Sequence, residues 1–302
     1  MIYFEGGVYM KHILRDNALE AWAMAIKYCN HILTGKATLQ YRKQFVSSLH
    51  NAVELFVKQL MLDNNDHRVC RVKNIKDPEG HPLVDFLISN DLNYFFEHIS
   101  DGELRQFYSV EYNQIRELTK ELFEEYYGEH QKDKDIVDQA LLLLGRLRNE
   151  EAHFYIGKIE FLVDIEFEKL HNFMIAFGRI LHFYSLLPYW GEEFGEFVRY
   201  KLKSKELEAF SYKKVVVQSE FYRKIKSIIN GQAVPAYGDT TYDYAECIYW
   251  KLDDKEIDFN DLWTCIEMAV QYDLLEYDEI VEEYDEPEMG TGANRYRIIY
   301  LK

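Results

Sequence analysis

Residues 134–155 read KDIVDQALLLLGRLRNEEAHFY. The leucine-rich half predicts a helix. Its last ten residues, RLRNEEAHFY (Arg146–Tyr155), set two arginines, an asparagine, two glutamates, a histidine and a tyrosine on the end of that apolar run. Such an ending is either an amphipathic helix turning its charged side to water or a small set of groups held for chemistry.

The flanking sequence is helical in the same way. From about Asp16 to Leu187, apolar residues recur at intervals of three and four, as one buried helix stripe requires. DNALEAWAMAIKYCNHIL sets Leu19, Trp22, Ala23, Ile26 and Cys29 on one face, and YRKQFVSSLHNAVELFVKQLML does the same with Phe45, Leu49, Val53, Phe56, Val57 and Leu60. VDFLISNDLNYFFEHI, after the loop KDPEGHP, predicts a shorter helix. VEYNQIRELTKELFEEYY and FEKLHNFMIAFGRILHFYSLL predict two more. Long amphipathic segments with only five prolines describe a helical bundle.

The character changes after LLPYWGEEFG and a basic connection. QSEFYRKIKSIIN and TTYDYAECIYWKL read as helices, the second opened by a Thr cap. EIDFNDLWTCIEMAVQYDLLEY reads as a short strand and a third helix, and EIVEEYDEPEMGTGANRYRIIYLK as a hairpin with a glycine-rich turn. Helix, helix, strand, helix, hairpin is the order of a winged-helix module. The expected division is therefore 1–211, a helical bundle, and 212–302, a smaller α+β winged-helix-like domain.

Bulk properties narrow the function. A net charge of −17 argues against general affinity for nucleic acid, which depends on counterion release at basic surfaces. Nucleic-acid work would need a local basic site. HRVCRVKNIK and RYKLKSKELEAFSYKK are the two candidates, the latter offering Lys201, Lys203 and Lys205 as an RNA track. Lys213 to Lys302 hold ten basic and nineteen acidic residues, a net of −9, so the second domain suits a protein partner better than DNA. Four scattered cysteines read as thiols of a reducing compartment. With no secretory signal and no membrane span, the expected location is the cytoplasm.

Chemically, an arginine suits phosphate oxygens and a histidine moves protons near neutral pH. Together they can cleave RNA without metal or cofactor, the histidine exchanging a proton at the 2′-hydroxyl or leaving oxygen and the arginine stabilising the phosphorane. Asn149 would orient the phosphate or the histidine. In a straight helix Arg148 and His153 lie about 140° apart around the axis, whereas Arg146 and His153 share a face. Either the helix breaks near Asn149, or two chains build the site, or Arg146 is the better partner.

Arg148-Asn149, with His153 and then Tyr155, resembles the R-x4-6-H motif of the HEPN ribonuclease superfamily, in the R-x4-H-x-Y form of toxins paired with a minimal nucleotidyltransferase. HNAVELFVKQLML also resembles an early HEPN helix, which commonly carries a Glu and a Lys in a setting like Glu54 and Lys58. The resemblance covers roughly Asp16 to Leu187. It implies a HEPN-like bundle that forms a homodimer around one shared cleft. The implied activity is a metal-independent endoribonuclease leaving 2′,3′-cyclic phosphate, acting as a toxin or antiphage effector.

By position, Arg148 and His153 would be catalytic, with Asn149 assisting them. Glu54 and Arg146 would support the site, and Tyr155 would be the residue an antitoxin nucleotidyltransferase modifies. The length of the chain, the insertion around VCRVKNIKDPEGHP and the C-terminal module depart from the small toxins. Glu54 reads equally well as a helix-surface partner of Lys58. His67, Cys70 and His81 lack the second ligand pair of a structural zinc site, and His50 reads as core. The competing functions are a non-catalytic HEPN-like assembly module and a winged-helix transcription regulator.

Overall fold

A computed structural model of the chain describes residues 6–73, 79–152, 161–187, 205–229, 234–236, 240–252, 257–286 and 290–302. These residues are mainly helical, with thirteen α-helices and two small antiparallel sheets. No helix among them is long and apolar enough to cross a membrane. The chain divides into two compact units, Met1–Cys29 with Lys43–Glu208, and Asn30–Arg42 with Ala209–Lys302. The division after Glu208 falls close to the expected one, but the segment Asn30–Arg42 also groups with the second unit.

In the first unit, α1 (Gly6–Leu33) and α2 (Leu39–Asp63) are the long helices that the apolar spacing predicts. A short insert follows. It comprises β1 (Cys70–Val72), α3 (Pro82–Ile88), α4 (Leu92–His98), α5 (Asp101–Leu104) and β2 (Phe107–Ser109). The strands β1 and β2 pair antiparallel, Cys70 opposite Ser109 and Val72 opposite Phe107. Then come α6 (Tyr112–Leu122), α7 (Glu124–Glu129), α8 (Gln131–Ala152) and α9 (Asp164–Phe183).

Two expected helices are each broken in two. VDFLISNDLNYFFEHI divides into α3 and α4 because Asp91 accepts the Asn93 amide at 2.8 Å, a cap that starts a new helix. Asn90 meanwhile donates its side-chain amide to Phe86 O at 2.7 Å. VEYNQIRELTKELFEEYY divides at Phe123, which leaves helical geometry and is buried, its ring 6.2 Å from Phe177 and 5.7 Å from Tyr184.

The centre of this unit is α9. Phe167, Leu170, Phe173, Phe177, Ile180 and Leu181 are all fully buried, and the five consecutive residues Phe173 to Phe177 are buried, so the middle of the helix is enclosed on every side. Trp22 of α1 packs 5.9 Å from Phe177 and 6.4 Å from Phe56 of α2. Helix α8 is fastened to α9 at both ends. Near its start, Arg179 grips Asp133 with bonds of 2.9 and 2.6 Å, and Tyr126 adds a third at 2.6 Å. Near its end, Arg146 bonds Glu166.

The second unit contains α10 (Tyr212–Gln218), α11 (Glu220–Ile229), β3 (Val234–Ala236), α12 (Thr241–Tyr249), α13 (Phe259–Gln271), β4 (Leu275–Glu286) and β5 (Gly290–Leu301). Thr240 caps α12 in a capping box with Asp243, as expected. The strand expected around EIDF is not found at Ile257–Phe259: Asp258 instead caps α13, accepting the Asp261 amide at 3.1 Å. The third strand is β3, which pairs with β5 in a sheet of order β3-β5-β4. Pro235 is tolerated there because β3 is an edge strand.

The hairpin runs in register from Leu275 opposite Leu301 to Glu286 opposite Gly290, so Gly290 and Gly292 lie in strand β5 rather than in a glycine-rich turn. The early segment Asn30–Arg42 is tied into this unit by Lys36, whose ammonium is 2.5 Å from Asp261. The buried Arg42 guanidinium adds to this, 3.9 Å from the Tyr212 ring and bonded to the Tyr272 hydroxyl.

Candidate active site

Among the polar residues of helix α2, three recur four apart. His50, Glu54 and Lys58 share one face, since a step of four advances about 40° beyond a full turn. His50 and Lys58 face inward, each 8% exposed, and Glu54 between them is half-buried. Lys58 Nζ donates to Glu54 Oε1 at 2.5 Å and to Ser109 Oγ at 2.9 Å. Glu54 Oε2 is 3.8 Å from His50 Nδ1.

The opposite wall comes from α6 and α8. Tyr112 stacks on the His50 ring, centroids 4.0 Å apart, and donates its hydroxyl to Leu141 O of α8 at 3.2 Å. Gly145 lets the two helices approach. A Cβ there would lie 3.1 Å from Tyr112 Cε1.

Arg148 lies close enough for its charge to act on His50. Burial is the main cause that lowers the His50 pKa below its ordinary 6.5. Glu54 opposes this, while Arg148 and Lys58 add to it. Burial likewise raises the Tyr112 hydroxyl, with Glu54 reinforcing the effect. The result is an imidazole held toward its neutral form, among a carboxylate, an ammonium and a guanidinium.

The predicted residues separate into distinct places. Glu54 is half-buried, between His50 and Lys58 in their row. Arg148 is half-buried beside that row. Asn149 is exposed and opens on a groove of about 630 Å³, shared with Tyr112, Asn113, Arg116, Arg146 and Glu150. Arg146 is committed elsewhere: its guanidinium bonds Glu150 at 2.8 Å and also Glu166, two carboxylates that neutralise it. His153 and Tyr155 lie outside the described residues, as do Lys201 and Lys203; Lys205 is exposed.

Sequence reasoning missed His50 as a member of this cluster and did not single out Tyr112. The signal available was the four-residue spacing of His50, Glu54 and Lys58 along α2. The residues weighed for zinc have structural bonds. His67 Nε2 is 2.8 Å from Asn90 O, His81 accepts the Leu83 amide at 3.3 Å, and burial pushes the Cys70 thiol up to about 12. Among the described residues no group of three or more His, Cys, Asp or Glu side chains is placed to hold a metal ion. Compared with protein-family models, curated proteins and solved structures, the chain finds no match.

Proposed function

We propose that this chain is a metal-independent endoribonuclease of the HEPN type, a cytoplasmic homodimer acting as a toxin or antiphage effector. One observation carries the reading. At the end of α8, Arg148 lies beside a buried polar cluster, whereas Arg146, two residues earlier, is neutralised by Glu150 and Glu166. That difference favours Arg148 with Asn149 as the R-x4-H arginine and its polar neighbour, and it speaks against a plain solvated helix end.

In this reading His153 moves the proton at the 2′-hydroxyl or leaving oxygen, and Arg148 stabilises the charge that develops on the phosphorane. Asn149, facing the groove, holds the phosphate. Glu54 sets the charge around His50 and Lys58, and Arg146 supports the site by fixing the end of α8. Lys201, Lys203 and Lys205 form the track for the RNA strand, and Tyr155 is the position at which a nucleotidyltransferase antitoxin silences the enzyme. The second unit is read as winged-helix-like, and its acidic charge suits a basic protein partner rather than DNA.

The test is cleavage of RNA by the purified protein in the presence of a chelator, with the product ends analysed for 2′,3′-cyclic phosphate. Arg148→Ala and His153→Ala should each lower the rate by at least about 10²-fold, the scale of one general acid–base or charge-stabilising group. Full cleavage by His153→Ala would end this reading.

A further inference from the structure

Helices α12 and α13 set a string of five aromatic rings on one side of the second unit. Trp250, at the end of α12, lies 6.4 Å from Tyr249, and Tyr249 lies 5.5 Å from Phe259 at the start of α13. Phe259 is 5.1 Å from Tyr242, and Tyr242 is 5.4 Å from Trp263. Trp250 is 78% exposed and Tyr242 46%, while the other three rings are half-buried. The indole N–H of Trp263 donates to Thr241 Oγ1 at 3.1 Å, which fixes one end of the string.

Carboxylates flank these rings. Glu246 is exposed and stands one turn from both Tyr242 and Tyr249 on α12, and Glu267 stands one turn beyond Trp263 on α13. Burial alone raises the Glu267 carboxyl. With their caps, the two helices carry Asp243, Glu246, Asp258, Asp261 and Glu267, and neither lysine nor arginine. Lys36, paired with Asp261, and Lys251, next to Trp250, offset two of these five charges and leave a net of −3.

Rings beside unpaid negative charge select a guest that is cationic and flat. An ammonium satisfies the carboxylates alone, whereas a guanidinium also stacks on aromatic faces and is more weakly hydrated. The ring-to-ring steps of 5.1 to 6.4 Å are comparable with the repeat of about 6.6 Å between alternate residues of an extended chain.

We propose that this face docks an arginine-rich extended segment of a partner protein, with guanidinium groups stacked on Trp250 and Tyr242 and paired with Glu246 and Glu267. The proposal rests on the reading of the acidic second unit as a docking module for a basic protein, and it does not depend on the chain cleaving RNA.

The test is fluorescence anisotropy of the full chain with two labelled peptides of equal charge, an alternating arginine–glycine octapeptide and its lysine–glycine counterpart, at about 0.15 M salt. The arginine peptide should bind at least about fivefold more tightly, the factor expected of one to two stacked guanidinium groups. Trp250→Ser, at a largely exposed position, should remove most of that preference and leave the lysine peptide little changed. Tyr242→Ser should act in the same direction, and Glu246→Gln should weaken both peptides. If Tyr242→Ser fails to fold, the wild-type ratio and Trp250→Ser decide the matter. A preference undiminished in Trp250→Ser overturns the proposal. Equal, salt-sensitive binding of the two peptides overturns it while leaving a basic partner for the second unit in place, and no binding of either peptide ends both.

Discussion

Removing the carboxylate of Glu54 should destabilise the first unit more than removing the ammonium of Lys58, although the two groups are bonded to each other. The reason is their unequal access to water: the Lys58 side chain is 9% exposed and that of Glu54 27%. Solvent-exposed pairs four apart on a helix contribute about 0.3–0.5 kcal/mol, and stripping one partner from a fully buried pair costs about 3–5 kcal/mol. Glu54→Ala leaves a nearly buried ammonium with Ser109 as its remaining named acceptor, so the loss belongs between these limits, at about 2–3 kcal/mol.

Lys58→Met leaves a carboxylate that water can reach and that has His50 beside it; about 1–1.5 kcal/mol is expected. The double variant Glu54→Ala/Lys58→Met carries no stranded charge and should lose less than the two single losses added, with a coupling of about 1–2 kcal/mol.

Because the chain has two units, a global unfolding curve need not report on this one. Trp22 packs within the first unit against Phe56 and Phe177, so its fluorescence is the suitable probe once Trp190, Trp250 and Trp263 are replaced by phenylalanine. Urea unfolding of the four proteins at about pH 7.5 gives the cycle. Single losses that add to the double loss within about 0.3–0.5 kcal/mol would refute the buried pair.

Gly145→Ala should destabilise by about 1–2 kcal/mol despite the better helix propensity of alanine, because the new Cβ meets Tyr112 at 3.1 Å while that ring is held against His50; thermal unfolding checks the sign. His50 has a pKa lowered first by burial, then by Arg148 and Lys58 against the pull of Glu54. The unfolded chain therefore takes up the proton first, and stability, complete above about pH 6.5, should fall as pH drops below that value. His50→Phe, which keeps a ring on Tyr112, should lose that slope in unfolding curves measured between about pH 7.5 and 5.

Asp133→Ala should cost about 2 kcal/mol by stranding the Tyr126 hydroxyl, with Arg179 contributing less because its side chain is 43% exposed. Burial raises the Asp133 pKa, but the bonds from Arg179 and Tyr126 outweigh it and leave the carboxyl below its ordinary range. Its stabilisation is therefore present above the ordinary carboxylate pKa and lost only as pH falls through the lowered one, a limb that the variant should lack.

What the sequence made legible follows from how far each signal reaches. The long helices α1, α2, α8 and α9 announce themselves because a buried stripe repeats every three or four residues over many turns. The breaks at Asp91 and Phe123 do not, because each is decided by local capping or by one ring finding a distant core. The three-residue strands β1 and β2 are too short to show alternation, and their pairing joins Cys70 to Ser109 across the whole insert. β3 hides behind Pro235, which reads as a strand breaker until its edge position is known. In the site, Glu54 and Arg148 could be named from local spacing and resemblance. His50 was read as core, and it is buried; its tie to Tyr112 crosses 62 residues and has no local signature.

The two arginines of RLRNEEAHFY show why spacing alone left a choice open. Residues two apart on a helix point about 200° apart, so Arg146 and Arg148 must serve different surroundings. The side of Arg146 meets α9, where Glu166 both binds the guanidinium and accepts the Val163 amide at 3.0 Å at the start of that helix. A cation so placed holds α8 to α9 and has little charge left to offer a phosphate. The side of Arg148 meets the His50 row, where its charge helps to lower the pKa of the imidazole. The step of about 200° that turns Arg146 toward α9 thus keeps Arg148 clear of the α8–α9 staple.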